Sequence, residues 1–270
     1  MIEDWKIILY VNQLRDAVSL NYNERIDDIN LVIKKAGYQY FEDHFGNDFS
    51  GLSKCISAGH YAIGFNKDHF WSEKFRRFTI AHELGHLSIP EHRNKLDQTS
   101  LHRSKPEFRS KDKIEIEADK FAIYLLAPKK SFTEKLKNKN FNSETINELS
   151  DYFQISTYAA CLHYIDLTDL ACSLIINNRN GTIIYERRSK QFINGFYHQF
   201  LYKQKIPSGT HTYDFVNGIS SDKSEEIELN SWYPDLKNKI TATENILELG
   251  YNNFVLTLIE PHKSSDEENY

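Results

Sequence analysis

The chain has 270 residues, a formal net charge of −5 and 40% hydrophobic content, with 17 Phe and 16 Tyr. That is enough for one large domain or two to three small ones with filled cores. The negative balance argues against whole-surface binding of nucleic acid, and the longest apolar runs are far too short to span a bilayer. Glu3 and Asp4 stand where a signal peptide would carry Lys or Arg. Cys55, Cys161 and Cys172 cannot all pair with one another and have no zinc-knuckle spacing, so a cytoplasmic protein with reduced thiols is expected.

In chain order, the first predicted helix runs from about Arg25 to Lys35 and is closed by Gly37. Extended segments are expected near 38–44 and 61–65. The second alternates its side chains and is expected to be an edge strand. The segment that follows, His82-Glu83-Leu84-Gly85-His86, is the most informative of the chain. Residues four apart on a helix share one face, so both imidazoles can hold one metal ion. Glu83 beside them is placed to hold a water and take its proton. Phe78, Ile80, Ala81, Leu84, Leu87 and Ile89 make the flanks apolar, as a core helix requires.

A third ligand is needed, and two residues are in reach. His92 lies ten residues after His82, but Ile89 stands where a glycine would allow a sharp bend, and Pro90 only ends the helix. Glu115 opens a second predicted helix in which Ile114, Ala118, Phe121, Ala122 and Leu125 recur at helical spacing and Pro128 gives the stop. Asp119, four residues on, shares its face and suits the outer N–H of a metal-bound histidine. Glu115 is therefore the better fit and His92 the rival. Glu117 points elsewhere on that helix and is expected as an exposed acid. Residues 93–112, with Arg93, Lys95, Arg103, Lys105, Arg109 and Lys111 and no repeating apolar face, read as a loop between the two helices, a lid or docking segment.

Arg77-Phe78-Thr79-Ile80-Ala81-His82-Glu83-Leu84-Gly85-His86 followed by Glu115-x-x-Ala118-Asp119-x-Phe121-Ala122-x-x-Leu125-Leu126-x-Pro128 resembles the ImmA/IrrE family of zinc metallopeptidases. Ser50-Gly51-Leu52 and Tyr61-Ala62-Ile63-Gly64-Phe65-Asn66 resemble the strand region before that family's active-site helix. The likeness covers about residues 25–130. It implies a zincin-like metallopeptidase domain in which His82, His86 and Glu115 bind zinc and Glu83 is the catalytic base. In such folds a peptide substrate commonly adds as a strand to a sheet edge. His60 and Tyr61 are candidates to aid the oxyanion on proximity in sequence alone.

Residues 129–166 read as short helices, and Glu148–Ser156 resembles the turn of a helix-turn-helix. The helix after it holds no Lys or Arg, which favours packing over DNA reading. Residues 167–262 read as an α+β domain. Strands are expected at 171–177 and 182–187, joined by the turn Asn178-Arg179-Asn180-Gly181, with another at 252–260. This part resembles, more weakly, the GAF-like sensor of extended family members. Arg187, Arg188, Lys190, Lys203 and Lys205 are interleaved there with Phe192, Phe196, Tyr197, His198, Phe200 and Tyr202. Such a mixture suits either single-stranded nucleic acid or a core with a charged rim. The tail, 263–270, is acidic and expected to be disordered.

The fold class expected is α+β, with a zincin-like domain over 1–128, a helix-turn-helix-like segment over 129–166 and a GAF-like domain over 167–262. The resemblance implies an endopeptidase that uses Zn2+ to cleave a helix-turn-helix repressor. Such cleavage would derepress stress, mobile-element or anti-phage defence genes, with single-stranded DNA as a trigger. Cys55, in the segment before the 61–65 strand, is a candidate inhibitory thiolate for the fourth zinc position. The alternatives are a non-proteolytic DNA- or protein-binding regulator on the same fold and a housekeeping peptidase of broad specificity.

Overall fold

The computed structural model describes residues 1–105, 112–196, 201–249 and 254–262. The expected disordered tail, with Arg109, Lys111, Tyr197, His198 and Phe200, lies outside them. Among the described residues there are ten helices and two sheets, an α+β chain. Two compact units emerge, Met1–Glu134 with Asp151–Ser156, and Lys135–Ser150 with Thr157–Tyr270.

In the first unit, helix α1 (Asp4–Ala17) buries Ile7, Tyr10, Val11 and Leu14, one turn apart along a single face. Its Arg15 is fully buried and donates to the carbonyls of Asn21, Glu24 and Leu125. Helix α2 (Ile29–Lys35) starts four residues later than expected because Asp28 caps it, accepting from the Asn30 N–H. Gly37, at φ +77°, lets the chain leave the helix. The sheet is built from β1 (Gln39–Asp43), β2 (Gly51–Ser57), β3 (His60–Asn66) and, after two helices, β4 (Leu101–Ser104), in the order β1-β3-β2-β4. The 61–65 strand is thus internal rather than an edge. β3 is buried from Tyr61 through Asn66, so both faces are covered and no polar face alternates with the apolar one. The edges are β1 and β4.

Helix α3 (Glu73–Ser88) is capped by the Ser72 hydroxyl, which accepts from the Phe75 N–H, and is buried on nearly every side from Thr79 to Leu87. Helix α4 (Pro90–Thr99) and strand β4 occupy the stretch expected as a loop. Pro90 ends α3 and also opens α4 from its first position, where a missing N–H does no harm. Only His92 and Leu96 of α4 are buried, too narrow a stripe to show as apolar periodicity. Helix α5 (Lys113–Leu126) crosses α3 closely at Gly85. A Cβ there would sit 3.1 Å from the Phe121 Cβ and 3.3 Å from the Ala118 Cα. That approach places the first two turns of α5 over the histidines. Helix α6 (Lys129–Leu136) follows, with Phe132 stacked on Phe153 at 5.3 Å between centroids.

The second unit takes in most of α7 (Ser143–Phe153), α8 (Thr157–Leu167), β5 (Ser173–Asn178), β6 (Ile183–Arg188), α9 (Lys190–Gly195), α10 (His211–Val216), β7 (Ser224–Glu228), β8 (Thr241–Glu248) and β9 (Phe254–Pro261). Its sheet is antiparallel throughout, in the order β6-β5-β9-β8-β7. The β5–β6 turn closes with the Gly181 N–H on the Asn178 carbonyl, Gly181 being at φ +69°. One face carries a core of Ile175, Ile183, Phe192, Trp232, Tyr233 and Ile259. Helix α8 buries Ala160, Cys161, His163, Tyr164 and Ile165. No helix among the described residues is long and apolar enough to cross a membrane.

Candidate metal centre

His82 and His86 lie one turn apart on α3, and Glu115 reaches them from the first turn of α5. One donor atom from each falls within 4.8 Å of the others. The His82 Nε2 is 3.3 Å from Glu115 Oε2, and the His86 Nε2 is 3.5 Å from Glu115 Oε1. Asp119 Oδ1 stands 2.9 Å from the His82 Nδ1 and accepts a hydrogen bond from its N–H. The His82 Nε2 is the ring atom left facing the His86 Nε2, 3.0 Å away. Two ring nitrogens and a carboxylate that converge in this way are stable only with a proton or a cation among them. Burial alone would depress His82, yet Asp119 and Glu115 push it up to about 10. Burial and the neighbouring imidazolium charge hold His86 well below the ordinary histidine range. For Glu115, burial is outweighed by hydrogen bonds from His102 and His82, which keep it well below the usual carboxylate range. The two-nitrogen, one-oxygen set fits zinc, which takes His and carboxylate ligands and in hydrolytic sites leaves a position open.

Glu83 is fully buried beside this group. Its Oε2 accepts the Ser53 hydroxyl at 2.6 Å, while Oε1 is buried with no hydrogen-bond partner. Burial raises its carboxyl, partly offset by the charge of His82 and by Ser104 and Ser53. The carboxylate has room only because residue 51 is glycine. A Cβ there would stand 2.7 Å from Glu83 Oε1 and 2.6 Å from Thr79 Cγ2. A buried carboxylate oxygen with no protein hydrogen bond, on the residue that adjoins a metal-donor histidine, is placed to accept a proton from water.

Sequence reasoning assigned no role to three members of this site, although Gly51 stands in the Ser50-Gly51-Leu52 match. Ser53 and Gly51 lie on β2, and His102 lies on β4 opposite Ser53. The His102 Nε2 is 2.8 Å from Glu115 Oε1, and its ring lies 4.1 Å from that of His86. The signal for Ser53 and His102 was the register of two short strands far apart in the chain.

Other expected residues lie elsewhere. His92 gives its Nε2 to Glu117 at 3.0 Å and is outside the metal group. Glu117, expected to be exposed, is 6% exposed, and its other oxygen accepts the Ile2 N–H. Burial of α1 against α5 covers that face. Cys55 sits on β2 beyond Ser53, donates weakly to the Ser57 carbonyl and is outside the metal group. Desolvation and the nearby Asp97 carboxylate raise its thiol, the reverse of what an inhibitory thiolate needs. His60 is exposed beside Ser57 and Ala58, and the Tyr61 hydroxyl donates to Asp97.

The basic cluster of the second unit is divided. Arg188 is buried and ion-paired to Glu186, so it does not face a ligand. Arg187 pairs with Asp166. Phe192 is core and Phe196 packs against it, as a solvated-rim arrangement requires. Lys190, Lys203 and Lys205 are exposed, Lys205 reaching the Asn180 carbonyl.

A helix that carries His-Glu-x-x-His, crossed by a second helix that brings a carboxylate donor, defines a candidate metallopeptidase centre. Residues 42–163 match the peptidase family model described as the IrrE N-terminal-like domain, which supports the ImmA/IrrE resemblance over that part of the chain. No curated protein matches at a significant level. Among solved structures, a Mycobacterium tuberculosis transcriptional regulator is similar at a TM-score of 0.57 and 11% identity, over 95% of this chain and 76% of that one. At that identity the likeness is one of fold.

Proposed function

We propose that the chain is a zinc-dependent, site-specific endopeptidase of the cytoplasm that cleaves a helix-turn-helix repressor and so derepresses stress, mobile-element or defence genes. The observation that carries this reading is Glu83, buried and held by Ser53, with a free oxygen beside His82, His86 and Glu115. A purely structural metal site needs no such base and would be closed by a fourth protein ligand. Zinc bound there would polarise a scissile carbonyl and make water a nucleophile near neutral pH. Glu83 takes the proton of that water on its free oxygen and returns it to the leaving amine. Its raised carboxyl affinity for protons suits both transfers. Asp119 fixes the tautomer of His82, and Ser53 keeps the base from rotating away.

The regulatory half of the reading rests on the family and on the second unit. Its five-stranded antiparallel sheet with short helices is consistent with a GAF-like sensor. Lys190, Lys203 and Lys205, with Tyr202 beside Lys203, are the groups left to meet single-stranded DNA. The test uses the purified protein and Glu83→Gln, each mixed with the helix-turn-helix repressor from neighbouring genes, with and without short single-stranded DNA. Intact-mass spectrometry should find one discrete cut, made only by the unmutated protein. Zinc content should be equal in both. A cut by Glu83→Gln, or none by either protein with zinc bound, would overturn the reading.

A further inference from the structure

We propose that His102 is a positioning residue of the metal site, holding Glu115 through its Nε2–H so that the carboxylate presents its ligand oxygen in one fixed orientation. The inference rests on the zinc site proposed above. Glu115 projects from the first turn of α5 on a side chain with three rotatable bonds, and an unrestrained carboxylate there would sample several rotamers. His102 removes that freedom. Its Nε2 stands 2.8 Å from Glu115 Oε1, while Oε2 is turned to the His82 Nε2. The imidazole is itself clamped, since its ring lies against that of His86 at 4.1 Å and a tilt of 50°.

The strand that carries it adds a second constraint. β4 pairs with β2 so that His102 lies opposite Ser53 and Ser104 opposite Gly51. Ser53 holds the base and His102 holds the ligand. One cross-strand pair therefore aligns both carboxylates of the site, and cross-strand neighbours on one face move together. Carboxylate ligands that are themselves hydrogen-bonded bind metal more tightly, and removal of such a partner typically weakens affinity or activity about 10–100-fold.

The experiment compares the full-length protein with His102→Leu, which keeps bulk without a donor, and His102→Gln, whose amide nitrogen reaches about as far as Nε2. Zinc affinity is read by competition with a chromophoric chelator, and kcat and KM are read on the repressor cut. His102→Leu should bind zinc about 10–100-fold more weakly, and His102→Gln should recover most of that loss. KM should change little. Wild-type affinity in His102→Leu would overturn the proposal. So would equal weakness in His102→Gln, which would mean that the ring stacks or ligates rather than donates. If His102→Leu does not fold, His102→Asn, a donor too short to reach, takes its place against His102→Gln. Zinc affinity is independent of cleavage, so absence of peptidase activity would sink the proposed function without touching this result.

Discussion

Glu83 keeps one oxygen on Ser53 and leaves the other buried without a protein hydrogen bond. Ser53→Ala should therefore lower kcat about 10-fold, at unchanged zinc content, since the base would lose the bond that aims it. Steady-state kinetics with metal analysis checks this, and an unchanged kcat would contradict it. Gly51→Ala is the sharper perturbation. The new methyl would stand 2.6 Å from Thr79 Cγ2 and 2.7 Å from Glu83 Oε1, so one of them must move. We expect a loss of about 1–3 kcal/mol in denaturant unfolding, typical of overpacking, together with reduced activity. Pairing it with Thr79→Ser, which removes one of the two clashes, should restore part of the stability. The sequence made His82, Glu83 and His86 legible because i,i+4 spacing on a helix is a local fact. Ser53 and His102 were hidden because they meet the motif through strand pairing, which one-dimensional spacing does not encode. Glu117 was misread for a related reason: burial of a charged side chain depends on which partners arrive from elsewhere, here His92 and the Ile2 N–H.

Among the elements, α1 shows how an end of the chain becomes part of the site's support. Its Arg15 has no exposure and gives three hydrogen bonds to backbone carbonyls, one of them Leu125 at the end of α5. Burial lowers its guanidinium to about 10, so these carbonyls hold a charge that the interior disfavours. Arg15→Met keeps the volume and strands the carbonyls. The expected loss is about 2–4 kcal/mol, the range for buried polar groups left unsatisfied. Urea denaturation measures it, and a change under 0.5 kcal/mol, about the scale of a neutral surface substitution, would refute the assignment. α1 was not among the expected helices, although its apolar period stands in the sequence at Ile7, Tyr10, Val11 and Leu14. α4 offered nothing comparable, because a two-residue buried stripe cannot be told from a loop. β3 was legible as a strand but not as an internal one, since its position in the sheet depends on β1 and β2 pairing on either side.

At the scale of the whole chain, the two units are not sequential pieces. Asp151–Ser156 belongs with the first unit although Lys135–Ser150 before it belongs with the second. Phe153 stacks on Phe132, the Arg25 guanidinium donates to the Tyr152 carbonyl and covers its ring, and Lys74 meets Asp151. Phe153→Ala should therefore cost about 3–5 kcal/mol, as buried Phe truncations do. Amide hydrogen exchange should also quicken in α6. Faster exchange confined to 157–167 would show that the residue serves the other unit. The boundary expected at 128, where Pro128 stops a helix, separates Asp151–Ser156 from the unit they belong to, and no local pattern announces this return crossing.

The order in which the site's parts occur along the chain also sets when it can exist. Gly51 and Ser53 of β2 leave the ribosome first, the histidines of α3 and then β4 follow, and Glu115 emerges roughly thirty residues after His86, about 1.5–6 s later at ordinary synthesis rates. Until then a nascent chain has two imidazoles and an unaligned base but no complete ligand set. A donor set assembled from parts this far apart in time cannot close around a cation until α5 has folded against α3.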